Sequence, residues 1–126
     1  MTTIYVFGNP YLNEDNLAPK IVQNWHVVSL DFKICSDPED LPLGEHILFI
    51  LDTADVAEIM VLRDINMLSS KKRTTTHDLD LGFFLQLQQK LGNLPQIVIF
   101  LIPQTGDVSR LRLDLLQLFR QMQLII

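Results

Sequence analysis

Apolar runs that stop at turn-forming or charged residues alternate along this chain with segments of helical periodicity. The first run, Thr3–Phe7, is β-branched and aromatic and stops at Gly8-Asn9-Pro10, as a buried strand does. The runs Ile47–Leu51 and Ile97–Ile102 are apolar throughout, and Ile47–Leu51 stops abruptly at Asp52. Because strands that are apolar without a break are covered on both faces, the pattern predicts a parallel sheet between helices.

The remaining strand signals are weaker. His26–Phe32 predicts a second strand, and the Pro- and acid-rich segment Ser36–Gly44 predicts no regular structure. Ile59–Arg63 fits either a helix or a short strand, and a strand this short would lie at the sheet edge.

Apolar residues recur at helical spacing between these runs. Leu17, Ile21 and Val22 predict a first helix, with Pro19 in its first turn, where a missing N–H is tolerated. A second helix should end at Gly92-Asn93, and its apolar positions are Leu79, Phe83, Phe84, Leu87 and Leu91. The buried stripe of the last helix is Val108, Leu111, Leu115, Phe119 and Met122.

These elements predict an α/β protein, a three-layer α/β/α sandwich. Its sheet should be mostly parallel, with about five strands and one short antiparallel edge strand. The composition, 48% hydrophobic and 20% charged, fits a globular core, and we expect residues 1–126 to form a single domain.

Charge and cysteine content exclude several classes of function. The net charge is −5 and the only run of basic residues is Lys71-Lys72-Arg73, which argues against a nucleic-acid partner. The single cysteine, Cys35, excludes an internal disulfide and a multi-cysteine zinc site, and it has no basic neighbour to activate it as a nucleophile. No secretory signal or membrane-spanning run is visible, so we expect a cytoplasmic protein.

Ionisable residues follow the predicted strands where ligands bind in open α/β sheets. Glu14 and Asp15 lie after the first strand and Asp52 directly after the third, so both strand ends offer carboxylates to one cation. His77 follows three threonines at a helix start, where the helix dipole favours the neutral, metal-ligating imidazole. Helix capping by the two aspartates and simple exposure of His77 are equally compatible with this spacing.

The other histidines and the serines carry weaker signals. His26 and His46 begin strands and have no acidic companions at ligand spacing, so we interpret both as surface residues. No serine stands in a nucleophile elbow, and no Gly-rich loop is suited to phosphate.

Several short segments, taken in order, match one known pattern across nearly the whole chain. They are Val6-Phe7-Gly8-Asn9-Pro10 with Asn13-Glu14-Asp15, then Phe49–Asp55, Ile59–Asp64, Thr76–Leu81 and Phe100–Gln104. Together they resemble the hydrogenase maturation proteases. That family has an apolar strand with Gly-Asn and an acidic pair, a strand ending in aspartate, a short edge strand, and a histidine before spaced leucines.

The resemblance implies a function. Members of this family remove a C-terminal peptide from the large-subunit precursor of a nickel-iron hydrogenase, and nickel already held by that substrate is the recognition element. Carried over, Asp15, Asp52 and His77 would contact the nickel and Glu14 would support them. The resemblance also implies that the enzyme supplies no side-chain nucleophile, so that either metal polarisation or positioning of the scissile bond would assist attack by water.

The chain departs from the family at two glycine positions. Asn16 follows the acidic pair, and Phe32-Lys33-Ile34 follows Asp31 where the family has glycines that admit the substrate tail. At the first of these positions an asparagine still tolerates a left-handed backbone. A divergent or non-catalytic binding protein on the same fold is therefore an alternative.

A phosphoacceptor receiver domain is the other alternative, because its length, its early acidic pair and its aspartate after the third strand all fit. It requires a lysine after the last core strand, and Pro103-Gln104-Thr105 stands there instead. The sequence therefore disfavours the receiver.

Overall fold

The strands of the protein form one mixed sheet. This computed structural model describes residues 1–8, 16–67 and 76–126, and from residue 76 to residue 80 it describes the backbone alone. The strands are β1 (Thr2–Phe7), β2 (Leu30–Cys35), β3 (Ile47–Ala54), β4 (Met60–Leu62) and β5 (Gln96–Pro103). Their order in the sheet is β2-β1-β3-β5-β4, and every neighbouring pair is parallel except β4 with β5.

Helices cover both faces of this sheet. They are α1 (Leu17–Val22), α2 (Thr76–Lys90) and α3 (Val108–Gln121). Helices α1 and α3 pack on one face and α2 packs on the other. The three-layer α/β/α arrangement and the short antiparallel edge strand are therefore confirmed.

The inner strand β5 explains the two hydrophobic cores, because its side chains alternate between the faces. Residues 97, 99 and 101 belong to the core under α2, with Leu48, Ile50, Leu81 and Leu85. Residues 98, 100 and 102 belong to the core under α1 and α3, where the Phe119 ring meets the Phe100 ring edge-on at 5.2 Å between centroids. This two-sided burial is why the strand is apolar without a break.

The second strand is displaced from its predicted position. The sequence predicts His26–Phe32, whereas β2 begins at Leu30 and continues to Cys35. Val28 is 83% exposed and Ser29 takes a left-handed φ of 74°, so this stretch forms a turn. The predicted strand began too early in the sequence, and it ended at Phe32 because Lys33 interrupts the apolar run.

The Pro- and acid-rich segment contains one turn of regular structure, contrary to prediction. Pro38–Asp40 form a 3-10 helix. The Asp37 carboxylate accepts a 3.0 Å hydrogen bond from the Glu39 N–H, which starts the turn.

Over the described residues, no helix is both long and apolar enough to cross a membrane.

Candidate active site

Asp52 is a buried carboxylate inside β3, with 2% of its surface exposed. The sequence predicts that this strand ends at Leu51, and that prediction is wrong. The strand continues through Asp52 to Ala54 because each of these residues pairs with β5, beginning with Asp52 opposite Leu101. The aspartate is therefore held by the sheet rather than by a loop.

A backbone hydrogen bond orients the Asp52 side chain. The N–H of Thr53 donates to Oδ1 at 2.8 Å, in the interior of the protein. Burying a carboxylate is costly unless hydrogen bonds replace its water, and this bond supplies part of that replacement. Thr53 is itself 2% exposed, and no pattern in the sequence distinguishes it.

Strand alternation determines which layer Asp52 faces. Ile50 and Ala54, its neighbours two positions away on either side, both belong to the core under α2. Successive side chains of a strand point to opposite faces, so Asp52 lies on the α2 face of the sheet. This is the face that the helix carrying His77 covers.

The chain leaves β1 beside Asp52. In the β1–β3 pairing, Val6 lies opposite Leu51, so the end of β1 at Phe7 is level with Asp52. Gly8, which follows, has a φ of 144°, a conformation that residues with side chains rarely adopt. The predicted Glu14 and Asp15 come later in this connection and lie outside the described residues.

His77 is the second residue of α2, so the prediction that it stands at a helix start is confirmed for the backbone. Its side chain lies outside the part of the structure described. Of the predicted nickel-contacting set, Asp52 alone has a described side chain. Among the described side chains, no three metal-ligating groups lie together. The joint site of Asp15, Asp52 and His77 stays a prediction.

At both positions where the chain lacks the family's glycines, the backbone differs from what the sequence predicts. Asn16 has a φ of −106°, so its position needs no left-handed residue. Phe32, Lys33 and Ile34 lie within β2 rather than in a loop after it. The loop that follows the second strand begins at Ser36.

The remaining candidate nucleophile and ligands are ordinary structural residues. Cys35 is buried, and this burial raises the pKa of its thiol; Asp40 raises it further, whereas Lys33 lowers it. A raised pKa keeps the thiol protonated, because burial outweighs the effect of Lys33, a basic neighbour that the sequence-based prediction left out. His26 and His46 are both exposed, which confirms their interpretation as surface residues.

A groove lies between α1 and β2, on the face of the sheet opposite the one that carries Asp52. It has a volume of about 460 Å³, and its walls include Asn16, Pro19 and Val22 from the helix side and Phe32 and Ile34 from the strand. Because Asn16 is the residue after Asp15, the groove begins next to the predicted ligand loop.

Comparison with known proteins supports the family resemblance at the level of fold. The hydrogenase maturating endopeptidase HybD from E. coli superposes with a TM-score of 0.59 and 14% identity, over 97% of this chain and 94% of that one. An endopeptidase from Escherichia coli solved in solution gives a TM-score of 0.61 and 16% identity, with the same coverage. No protein-family profile and no curated protein sequence matches the chain.

Proposed function

We propose that this chain is an endopeptidase that removes the C-terminal extension of a nickel-iron hydrogenase large-subunit precursor after nickel insertion. Nickel held by the substrate is the recognition element, and Asp15, Asp52 and His77 contact it. The protein acts in the cytoplasm, where the precursor matures. The single observation that carries the proposal is the buried carboxylate of Asp52 in a fold shared with two endopeptidases.

The position of Asp52 supports a role beyond fold stability. Asp52 is 2% exposed, in a strand whose other residues are apolar except for Thr53. Removing its carboxylate from water costs folding free energy that an apolar residue at this position would avoid. It stands near the carboxyl end of a central strand, level with the end of β1, where α/β proteins bind their ligands.

Helical spacing supports the pairing of His77 with Asp52. His77 precedes Leu81 by four residues and Leu85 by eight, and both leucines are buried against the sheet face that carries Asp52. A helix turns once in about 3.6 residues, so position 77 continues this inward row by one turn. Two carboxylate oxygens and one imidazole nitrogen would then suit a divalent first-row metal ion.

The chemistry assigned to these residues is recognition and positioning. A water molecule attacks the scissile carbonyl carbon, the C–N bond breaks, and the leaving amine takes up a proton. The described side chains contain no activated thiol, because burial raises the pKa of Cys35. The three ligands would hold the nickel-bearing end of the substrate so that one peptide bond meets this water.

The test is processing of a nickel-loaded large-subunit precursor by the purified protein. We expect cleavage by the native chain, with loss of at least about a hundredfold in rate for His77→Ala and Asp52→Asn. Cadmium or nickel binding should weaken in the same variants. His46→Ala replaces an exposed histidine outside the proposed site and should process the precursor normally.

Full processing by His77→Ala would show that the site assignment is wrong. If the native chain binds the nickel-loaded precursor and never cleaves it, the protein is a binding protein on this fold. Stable labelling of Asp52 by acetyl phosphate would instead support the receiver alternative.

A further inference from the structure

Helix α2 is apolar on two sides. Its inner row, Leu81 and Leu85, is buried against the sheet. On the outer side, Phe83 is 70% exposed, Leu87 is 42% exposed and Leu91, just past the helix end, is 61% exposed. Because these three residues are spaced by four, they form one row, which we call the outer stripe.

An aligned row of this kind differs from ordinary surface exposure. Single exposed leucines are common, and Leu113 of α3, 64% exposed between Arg112 and Asp114, is one of them. The outer stripe instead extends over about 12 Å, given the rise of an α-helix over eight residues. Contiguous apolar surface of this kind marks a site of protein association.

A shallow groove borders one end of the outer stripe. It lies between α2 and the 3-10 helix Pro38–Asp40 and has a volume of about 360 Å³. Its apolar walls are Pro38, Phe83, Phe84 and Leu87, and Ser36, Asp37 and Glu39 complete the lining. A side chain of a partner that filled this groove would be surrounded by apolar contacts with carboxylates at the margin.

Charge is distributed unevenly along the outer stripe. Asp37, Glu39 and Asp40 are exposed near its Phe83 end. Lys90 is exposed at the other end, next to Leu91. Among the described side chains, this surface is therefore acidic at one end and basic at the other, with apolar residues between.

We infer that the outer stripe joins two copies of this chain in an antiparallel, two-fold dimer. Such an axis passes near Leu87 and sets Phe83 of each copy opposite the partner's Leu91. It also brings Lys90 of each copy to the other's Glu39, so each charge contact occurs twice. At a net charge of −5, such pairing reduces the repulsion between two copies of the chain.

The area that one helix row covers is small, so the dimer exchanges with monomer. This surface lies on the outer side of α2, away from the sheet face that carries Asp52. The inference therefore does not depend on the proposed protease function.

Sedimentation equilibrium over a wide range of protein concentration tests the inference. We expect the native chain to move from monomer to dimer as concentration rises. Phe83→Glu should raise the dissociation constant by at least about tenfold, because it places a charge in the apolar contact. Leu113→Glu makes the same change on α3 and should leave the dissociation constant unchanged.

A charge exchange tests the antiparallel arrangement itself. Glu39→Lys and Lys90→Glu should each weaken the dimer, since each sets like charges opposite one another. The double variant restores an opposite-charge contact and should recover most of the native affinity. Circular dichroism of each variant checks that the fold is retained.

A native chain that stays monomeric at its solubility limit would overturn the inference. Equal weakening by Leu113→Glu, or no recovery in the double variant, would overturn it as well.

Discussion

The side chain of Arg112 in α3 covers the ring of Trp25, with its guanidinium carbon 5.5 Å from the ring centroid. The same guanidinium donates hydrogen bonds to the carbonyl oxygens of Ile21, at 2.8 Å from Nε, and Gln23, at 2.9 Å from Nη2. Carbonyls at a helix end have no partner within the helix, so Arg112 completes the end of α1. One side chain therefore fixes α1, the helix whose other end follows the predicted Asp15.

Arg112→Ala should destabilise the protein by about 1–3 kcal/mol, because it removes two charge-assisted hydrogen bonds and the contact with Trp25. Urea unfolding followed by tryptophan fluorescence measures this change. Arg110→Ala is the matched control, since Arg110 pairs with Asp114 in an exposed i,i+4 contact of 3.5 Å. That variant should lose less than about 0.5 kcal/mol. Equal losses in the two variants would contradict the role of Arg112.

Asp52→Asn should fold like the native chain. The amide oxygen can still accept the hydrogen bond from the Thr53 N–H, so we expect the free energy of unfolding to change by less than about 1 kcal/mol. Asp52→Ala removes that acceptor and should cost about 1–3 kcal/mol more. Differential scanning calorimetry distinguishes the two. Unfolding of Asp52→Asn would mean that the negative charge itself stabilises the fold.

Stability should fall in alkaline solution because of Cys35. Burial raises the pKa of its thiol in the folded protein, so the unfolded chain loses this proton first as pH rises. The contribution of the protonated Cys35 thiol to the free energy of unfolding is complete below the ordinary thiol pKa. It is lost as pH rises through the higher pKa that the thiol has in the folded protein. The pKa of the Tyr5 hydroxyl is also raised, chiefly by burial. Its ionisation should therefore also lower the free energy of unfolding, at higher pH.

Urea unfolding at a series of alkaline pH values tests this dependence. Cys35→Ala should have a shallower decline in the free energy of unfolding than the native chain above the ordinary thiol pKa. Identical slopes would show that Cys35 does not contribute.

Gly92→Ala should destabilise the end of α2. Gly92 has a φ of 76°, and its N–H and that of Asn93 return to the carbonyls of Gln89 and Gln88, at 3.1 and 2.9 Å. An alanine in this left-handed conformation costs about 1 kcal/mol. Gly44→Ala has open space around its added methyl and should cost less, which thermal unfolding can compare.

The fold was predictable wherever burial is two-sided. Ile97–Ile102 reads as a strand because both of its faces lie in cores, and β5 is found there. The edge strand β2 carries exposed Lys33 between half-buried Phe32 and exposed Ile34, so the apolar run that predicts strands stops too early. An aspartate that stays in the ladder, as Asp52 does, gives no sequence signal that the strand continues.

The candidate site was predictable only in part. Asp52 was identified from its place after an apolar run, but its burial on the α2 face of the sheet was not predicted. The nickel-contacting role came from the order of motifs, since residue spacing alone also fits helix capping. Contacts between distant segments, such as Arg112 with Trp25, leave no local pattern and were not predicted.

The open edge of β2 has a consequence for solubility. Strand edges are where sheets of separate molecules join into aggregates, and proteins protect them with charged side chains. Exposed Asp31 and Lys33 alternate along β2, which pairs with β1 alone in the described sheet. With valine at both positions, this strand would be apolar from Leu30 to Cys35, a length and composition that favour amyloid stacking. The two charges therefore act as gatekeepers of the sheet.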